Sequence, residues 1–580
     1  MNRLNVRMKV SDYIAQFLVK QNVPIVFGYI GGMITHLVDS LGKNPNIRFI
    51  QTYHEQTAAI AAEGYAIESG NIGVAISTSG PGATNMITGI ADAFFDSIPV
   101  VYITGQVNSY EYKYNASVRQ KGFQETNIVS MVRSVTKYAV LVDKEQMIRY
   151  ELEKAFHYAK QGRPGPVLLD IPMNIQKEEI DIENLVSFIS PPRMTTICDF
   201  NLKKILHLLK GAKYPMVLVG GGCHGERVKT ELELFINRTN YPVVSSLKGK
   251  GAFGEDHPNY LGMIGAYGNR CANMAMAKVD LLLALGTRLD IRQTGTSPFI
   301  HKGKIIHVDI DENELFRDKL ANKIPVFTDV CHFLYRLNNK CFFDEGGYEY
   351  WWNILHKLKQ KYNQKEEVER FVENRSPYKF MEVLSKCSRE DDVFCADVGQ
   401  NQMWVAQTVL IRRKNKFITS GGLAPMGFSL PASIGVAFAN PDVNIYSING
   451  DGGFHIAMQS LMLISQYDLP IKVIVMNNRS LGMITQFQEL YFDGNMIGTT
   501  RSGGYYTPSI GDISHAYGLN YYRLSCETMS ILKDALKCRN CVIEYVIDGL
   551  TTVSPKLKYG DSIERMSPSL LEEEYDYIGI

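Results

Sequence analysis

Short apolar runs, each closed by a small or polar residue, recur along this chain. Residues 24–27 (Pro-Ile-Val-Phe) stop at Gly28, and 73–77 and 100–104 are apolar runs followed by glycine-bearing turns. Residues 10–21, between them and the N-terminus, carry apolar positions at helical spacing. Continuous apolar strands separated by helices predict a parallel sheet covered on both faces, because such strands show no polar side to water. The pattern returns twice. Residues 216–219 run into Gly220-Gly221-Gly222, 281–285 into Gly286, and 305–308 into Asp309. Later, 444–448 lead to Gly450-Asp451-Gly452, and 473–476 to Asn477-Asn478.

The expected fold is therefore α/β, with three consecutive doubly wound parallel-sheet domains. Their bounds are read as 1–185, 196–340 and 365–555, with 556–580 as a charged, tyrosine-rich surface tail or lid. Polar, proline-bearing stretches near Ser190-Pro-Pro-Arg193 and over 340–377 serve as linkers. The first and last thirds resemble each other in pattern, not in residues. A length of 580 residues fits about three domains.

Composition narrows the class. Hydrophobic residues make up 45% and charged residues 21%, with a net charge of +1, so no global field gathers nucleic acid or an anionic membrane. No apolar stretch reaches the ~20 residues of a membrane span, and residues 1–20 lack a leader pattern; a reducing cytoplasm is expected. The ten cysteines include one Cys538-Arg-Asn-Cys541 motif, which without a second pair at zinc spacing is a weak metal or redox signal.

Ligands of such sheets bind beyond the carboxyl ends of the strands. Asp451 and Asn478 lie 478 − 451 = 27 residues apart, a length that suits one helical crossover and sets the two strand ends side by side. Asp451 offers a carboxylate, Asn478 an amide oxygen and Ser480 a carbonyl, hard donors of the kind Mg²⁺ takes beside phosphate oxygens. Gly452 and Gly453 let the backbone approach a diphosphate. Taken alone, Gly-Asp-Gly is a common loop; paired with Asn477-Asn478 it is the signature of thiamine diphosphate binding. Glu55 opens a helix rich in small residues, and the coenzyme needs a carboxyl group beside N1′ of its aminopyrimidine to activate it. A glutamate in a first helical turn is also ordinary dipole chemistry. Met426, in Gly421-Gly422-Leu423-Ala424-Pro425-Met426-Gly427-Phe428, is either a core methionine or a wedge that bends the coenzyme.

Longer motifs carry a resemblance. His54-Glu55-Gln56, Ser77-Thr78-Ser79-Gly80-Pro81-Gly82-Ala83-Thr84-Asn85, Gly105-Gln106-Val107, Phe123-Gln124-Glu125-Thr126, Gly162-Arg163-Pro164-Gly165-Pro166-Val167, Gly249-Lys250-Gly251-Ala252-Phe253 and Gly427-Phe428-Ser429-Leu430-Pro431 resemble the acetolactate synthase large subunit, in order, over residues 8–555. The resemblance implies pyrimidine-binding, FAD-binding and diphosphate-binding domains. It also implies a homodimer or homotetramer, with each active site between subunits. It implies thiamine diphosphate, Mg²⁺ and FAD as cofactors and pyruvate as the 2-keto acid. It assigns Gly399, Gln400, Ala424, Met426 and Gly450 to the coenzyme. Gly222, Leu247, Gly286, Arg288, Asp290, Arg292, Asp309 and Asp329 fall to a flavin that has no net redox step to perform. Phe123 and Gln124 are expected to reach toward the reacting centre.

The departures gather on the side of the second substrate. The run 108–122 is longer than the family's and carries Tyr110, Tyr112 and Tyr114; Met33, Ala266, Tyr267 and Phe487 replace the family's usual residues. With Arg292 they are expected to shape the acceptor pocket. Two enzymatic readings stand: acetolactate synthesis, or transfer of the two-carbon unit to a keto sugar, often nucleotide-linked. A catalytically silent flavoprotein is the alternative from another class.

Overall fold

The computed structural model describes residues 7–191, 199–295, 303–317, 322–340 and 348–578. Arg193 of the first linker, Cys198 and residues 341–347 of the second linker lie outside them. Three six-stranded parallel sheets account for the apolar runs. The first runs edge to edge through Arg48–Gln51, Ile25–Tyr29, Gly73–Ser77, Val100–Gln106, Val167–Pro172 and Tyr138–Leu141. The last runs through Lys416–Thr419, Val393–Ala396, Ile445–Gly450, Ile471–Asn477, Cys541–Val546 and Tyr521–Leu524. Counted from each domain's own first strand, both read 2-1-3-4-6-5. The middle sheet, Tyr260–Met263, Val243–Ser245, Pro215–Val219, Leu281–Leu285, Lys304–Asp309 and Lys323–Phe327, reads 3-2-1-4-5-6.

The outer domains share one core. Helix Glu55–Ser69 lies on helix Ser429–Ala439, and both are buried nearly all round. Their faces are alanine and glycine because the backbones nearly touch. A Cβ on Gly64 would sit 2.1 Å from the Ala432 carbonyl oxygen, and one on Gly435 would sit 1.9 Å from that of Ala61. Such contact admits no larger side chain.

The chain between the second and third sheets is more ordered than a linker. Helices Glu349–Lys361 and Gln364–Phe371 pack Trp351, Leu355 and Leu358 onto the middle domain. The expectation of a loose tail after residue 555 also requires correction. Lys556–Leu557 pairs with Met566–Ser567, and Ile563, Leu570 and Tyr575 are buried in the same apolar cluster as Trp351. The fully buried Arg270 explains the docking. It pairs with Glu367 at 2.6 Å and donates to the carbonyls of Met566 and Pro568, so the tail supplies acceptors a buried guanidinium requires. Glu574 adds a bidentate pair with Arg370 at 2.7 and 2.8 Å. No helix among the described residues is long and apolar enough to cross a membrane.

Candidate functional site

Asp451 is the first residue of a helix that leaves strand Ile445–Gly450. Gly450 sits opposite Met476 of the neighbouring strand, so Asn477 and Asn478 emerge beside it. The Asp451 side chain is buried and its Oδ2 has no hydrogen-bond partner. Burial pushes this carboxyl up to about 7, against the pull of neighbouring Tyr505 and the helix's first N–H groups. A buried carboxylate oxygen without a donor is costly, and a cation would relieve it.

Around it the chain leaves room only for backbone. A Cβ on Gly453 would lie 1.8 Å from Asp397 Oδ2, and one on Gly452 would meet the Met426 Cε and the Tyr505 hydroxyl at 3.0 Å. Met426 therefore stands directly over the glycine turn. Asn478 donates to Thr551 Oγ1 at 3.0 Å and Gln400 Oε1 at 3.3 Å, which fixes its amide; its Oδ1 accepts from the Ser480 N–H at 3.2 Å. Gln400 begins a helix whose entering Gly399 has φ +134°. Ala424 also takes a positive φ, +60°. Among the described residues no three His, Cys, Asp or Glu side chains converge on one point. One carboxylate with amide and carbonyl oxygens instead suits Mg²⁺ that completes its shell with phosphate and water.

Glu55 occupies the same kind of place in the first domain. It opens its helix, is buried, and accepts from Asn85 Nδ2 at 3.0 Å. The His54 ring caps the helix by accepting the Gln56 N–H. Gly82 lies close to Glu55 Oε1, where a Cβ would come within 3.1 Å. Gln124 has φ +63° and packs against Gly80, while Phe123 beside it is 79% exposed. The long loop before them is framed by Glu125, whose carboxylate accepts the N–H groups of Lys113, Lys121 and Gly122. Burial raises the pKa of this carboxyl, but those three donors hold it below its ordinary value. Tyr112 is buried in the frame; Tyr110 and Tyr114 face solvent. The hydrogen bond of Glu55 lies within the first domain, and the groups that shift Asp451 lie within the last.

In the middle domain, Gly222, Leu247, Gly286, Arg288, Asp290, Arg292, Asp309 and Asp329 all line one cavity of ~710 Å³ at the carboxyl ends of the strands. Gly286, with φ +53°, touches Gly222, and a Cβ there would lie 2.8 Å from the Gly222 Cα. Ala266, Tyr267 and Arg292 line the same cavity, with the Tyr267 hydroxyl raised by burial and pulled the other way by Arg292. The five expected acceptor residues do not form one room in a single chain. Met33 is bound to Thr78 and Gln176 in the first domain, and half-exposed Phe487 stacks on Tyr491 at 4.7 Å in the last. Within one chain they ride on three different domains.

Asn85, Asp397, Thr551 and Tyr505 had no assigned role in the sequence reading. Asn85 closes a quoted motif, and Asp397 ends an apolar run like those used to find Asp451. Thr551 and Tyr505 carry no local signal. A smaller cavity of ~280 Å³ beside Tyr505 is lined by Arg479, Arg501 and Arg523 with Tyr506.

Comparison with known proteins agrees with this division. Residues 8–131 match the N-terminal TPP-binding domain of the thiamine pyrophosphate enzymes, 202–337 the central domain and 397–545 the C-terminal TPP-binding domain. A probable acetolactate synthase large subunit of Methanocaldococcus jannaschii is 35% identical over 98% of both chains. The acetolactate synthase large subunit of Corynebacterium glutamicum is 35% identical over 96% of this chain and 89% of its own. The chloroplastic acetolactate synthase of Arabidopsis thaliana is 38% identical over 84% and 72%.

Proposed function

The chain belongs to the thiamine pyrophosphate enzyme family as a homologue of the acetolactate synthase large subunits, and from that premise we propose that it decarboxylates pyruvate and joins the two-carbon remainder to an acceptor. The observation that carries the reading is Asp451: a buried carboxylate with a free oxygen, on a glycine turn beside Asn478. Asp451, Asn478 and the Ser480 carbonyl would hold Mg²⁺, and the backbone of Gly452 and Gly453 would cradle the diphosphate. When bound, the coenzyme supplies a nucleophilic carbon and an electron sink for decarboxylation. Glu55 would hold a proton toward the aminopyrimidine, with its carboxyl kept in place by the Asn85 amide. Met426, packed on the glycine turn, would bear on the coenzyme and help set its shape.

Each active site is read as shared between two copies of the chain, Glu55 from one and Asp451 from the other. Glu55 bonds within the first domain and Asp451 lies on a turn of the last, so two chains could each supply one of them. The ~710 Å³ cavity is assigned to FAD: strand order 3-2-1-4-5-6 is the dinucleotide-binding order, and Arg288 and Arg292 suit phosphate. Gly286→Val should abolish release of flavin fluorescence on denaturation; undiminished flavin in that variant would remove the assignment.

A keto sugar linked to a nucleotide remains the second acceptor reading. The arginine-lined cavity beside Tyr505 and the tyrosine-bearing loop before Phe123 favour it, since arginines take phosphates and tyrosines stack on sugars and bases. The deciding experiment is incubation with labelled pyruvate, with and without nucleotide-linked keto sugars, followed by mass spectrometry. Acetolactate alone supports a pyruvate acceptor, a sugar heavier by two carbons supports the second reading, and no release of CO₂ in any mixture overturns both.

A further inference from the structure

The turn that carries Met426 is held from outside its own domain. Helix Ile87–Asp96 of the first domain ends against it. Asp96 accepts the Gly421 N–H at 2.9 Å through Oδ2 and the Gly422 N–H at 2.7 Å through Oδ1. One turn earlier, Asp92 accepts from Ser420 Oγ at 2.5 Å, and Ser420 Oγ in turn accepts the Ala424 N–H at 2.9 Å. Lys248, from the middle domain, closes the arrangement: its Nζ lies 2.9 Å from Asp96 Oδ2 and 2.7 Å from the Thr419 carbonyl.

The fit is tight enough to explain both glycines. A Cβ on Gly422 would sit 2.5 Å from the Phe95 Cβ, and one on Gly421 would sit 2.6 Å from the Lys248 Cγ. The Asp96 side chain is 2% exposed. Behind Asp92, buried Glu63 has no hydrogen-bond partner at either oxygen, and burial with Asp92 and Asp96 nearby pushes its carboxyl well up.

We propose that Asp96 and Lys248 are positioning residues for the coenzyme: a clamp built from the first and middle domains fixes the Gly421–Gly422 turn, and thereby the height of Met426 over the glycine turn at Gly452. The inference rests on the coenzyme reading above. It makes affinity for thiamine diphosphate depend on a lysine whose ammonium is held by Asp96 and the Thr419 carbonyl and which, with Asp96, also lines the ~710 Å³ cavity.

A matched ion pair separates positioning from general support. Lys416 pairs with Glu68 at 2.9 Å, likewise reaching the first domain from another, here the last, with closely similar exposure but away from the turn. Calorimetric titration of the full chain with thiamine diphosphate and Mg²⁺, FAD in excess, should show Lys248→Met binding ~10-fold more weakly, as loss of one charge-assisted hydrogen bond implies. Asp96→Asn should weaken binding at least as much, whereas Lys416→Met should stay within ~2-fold of wild type. Wild-type affinity in Lys248→Met overturns the proposal, and so does an equal loss in Lys416→Met. If the wild-type chain takes up no thiamine diphosphate, the coenzyme reading falls and this inference with it.

Discussion

The first and last domains have the same strand order but divide the chemistry unequally. In each, the second strand leads to a long helix of small residues: Arg48–Gln51 to Glu55–Ser69, and Lys416–Thr419 to Ser429–Ala439. These are the two helices that pack together. Their faces cannot diverge, because each backbone fills the other's glycine gap. The turns entering them differ in length and in what holds them. One is short and delivers Glu55; the other is long and delivers Met426. A repeated frame thus offers two equivalent entrances, and only one of them received an acid. Asp451, the proposed metal ligand, lies elsewhere, after the third strand of the last domain's sheet, where the first domain has Ser79-Gly80-Pro81.

The comparison breaks most sharply at Glu55. Glu55→Gln should lower pyruvate consumption by at least ~100-fold, as expected when a group that moves a proton is lost, while thiamine diphosphate binding persists. Asp451→Ala should instead lose coenzyme and Mg²⁺ together. Turnover near the wild-type rate in Glu55→Gln would end the assignment of unequal roles.

Mixing these two inactive variants sharpens it further. If each site takes Glu55 from one chain and Asp451 from another, a mixed pair regains one intact site. Random re-pairing then restores about a quarter of wild-type activity. Sites contained within single chains would restore none, whatever the mixing ratio.

Legibility in the sequence followed the same line between local and distant. Strand ends could be read because glycine, aspartate and asparagine at the end of an apolar run mean one thing wherever they fall. Asp451 and the glycines of the middle cavity were read that way, whereas Glu55 was read from the small-residue helix it opens and from its motif. Asn85, Thr551 and the clamp at Asp96 were not, because each acts on a residue far along the chain: Asp96 meets Gly421, and Thr551 meets Asn478. The last residues read as a charged tail because their partner, Arg270, is hidden in another domain. The acceptor residues were grouped by resemblance, and one chain places Ala266, Tyr267 and Arg292 on the middle cavity while Met33 and Phe487 sit on the outer domains, an arrangement a site shared between chains can accommodate.

The shared frame itself can be tested at Gly435. Valine there would drive methyl groups into the Ala61 carbonyl, and overpacking at a backbone contact costs ~3 kcal/mol. Chemical denaturation should show that loss in a transition common to both outer domains, since they share one core. Two separate transitions, with only one displaced, would show that the helices join the domains less firmly than their contact implies.

The smallest expected effect compares how each outer domain carries a buried acid. Asp397, in the last domain, accepts the N–H groups of Val398, Gly427 and Phe428, and burial raises it only to about 6. Asp170, in the first, has only Thr104 Oγ1 and Gln106 Nε2 as donors, and burial pushes it up to about 7. Fewer donors to the charged form leave desolvation less opposed. Because the folded Asp170 holds its proton above the 3.8 of its ordinary value, its contribution to stability is present at low pH and fades as pH rises toward about 7. Each proton held this way changes stability by at most ~1.4 kcal/mol per pH unit. Asp170→Asn removes that proton, so the fall in unfolding free energy between pH 5 and pH 7 should be shallower than in wild type. An identical fall in both would mean that Asp170 is already ionised in the folded chain, and that its two side-chain donors serve it as well as the backbone serves Asp397.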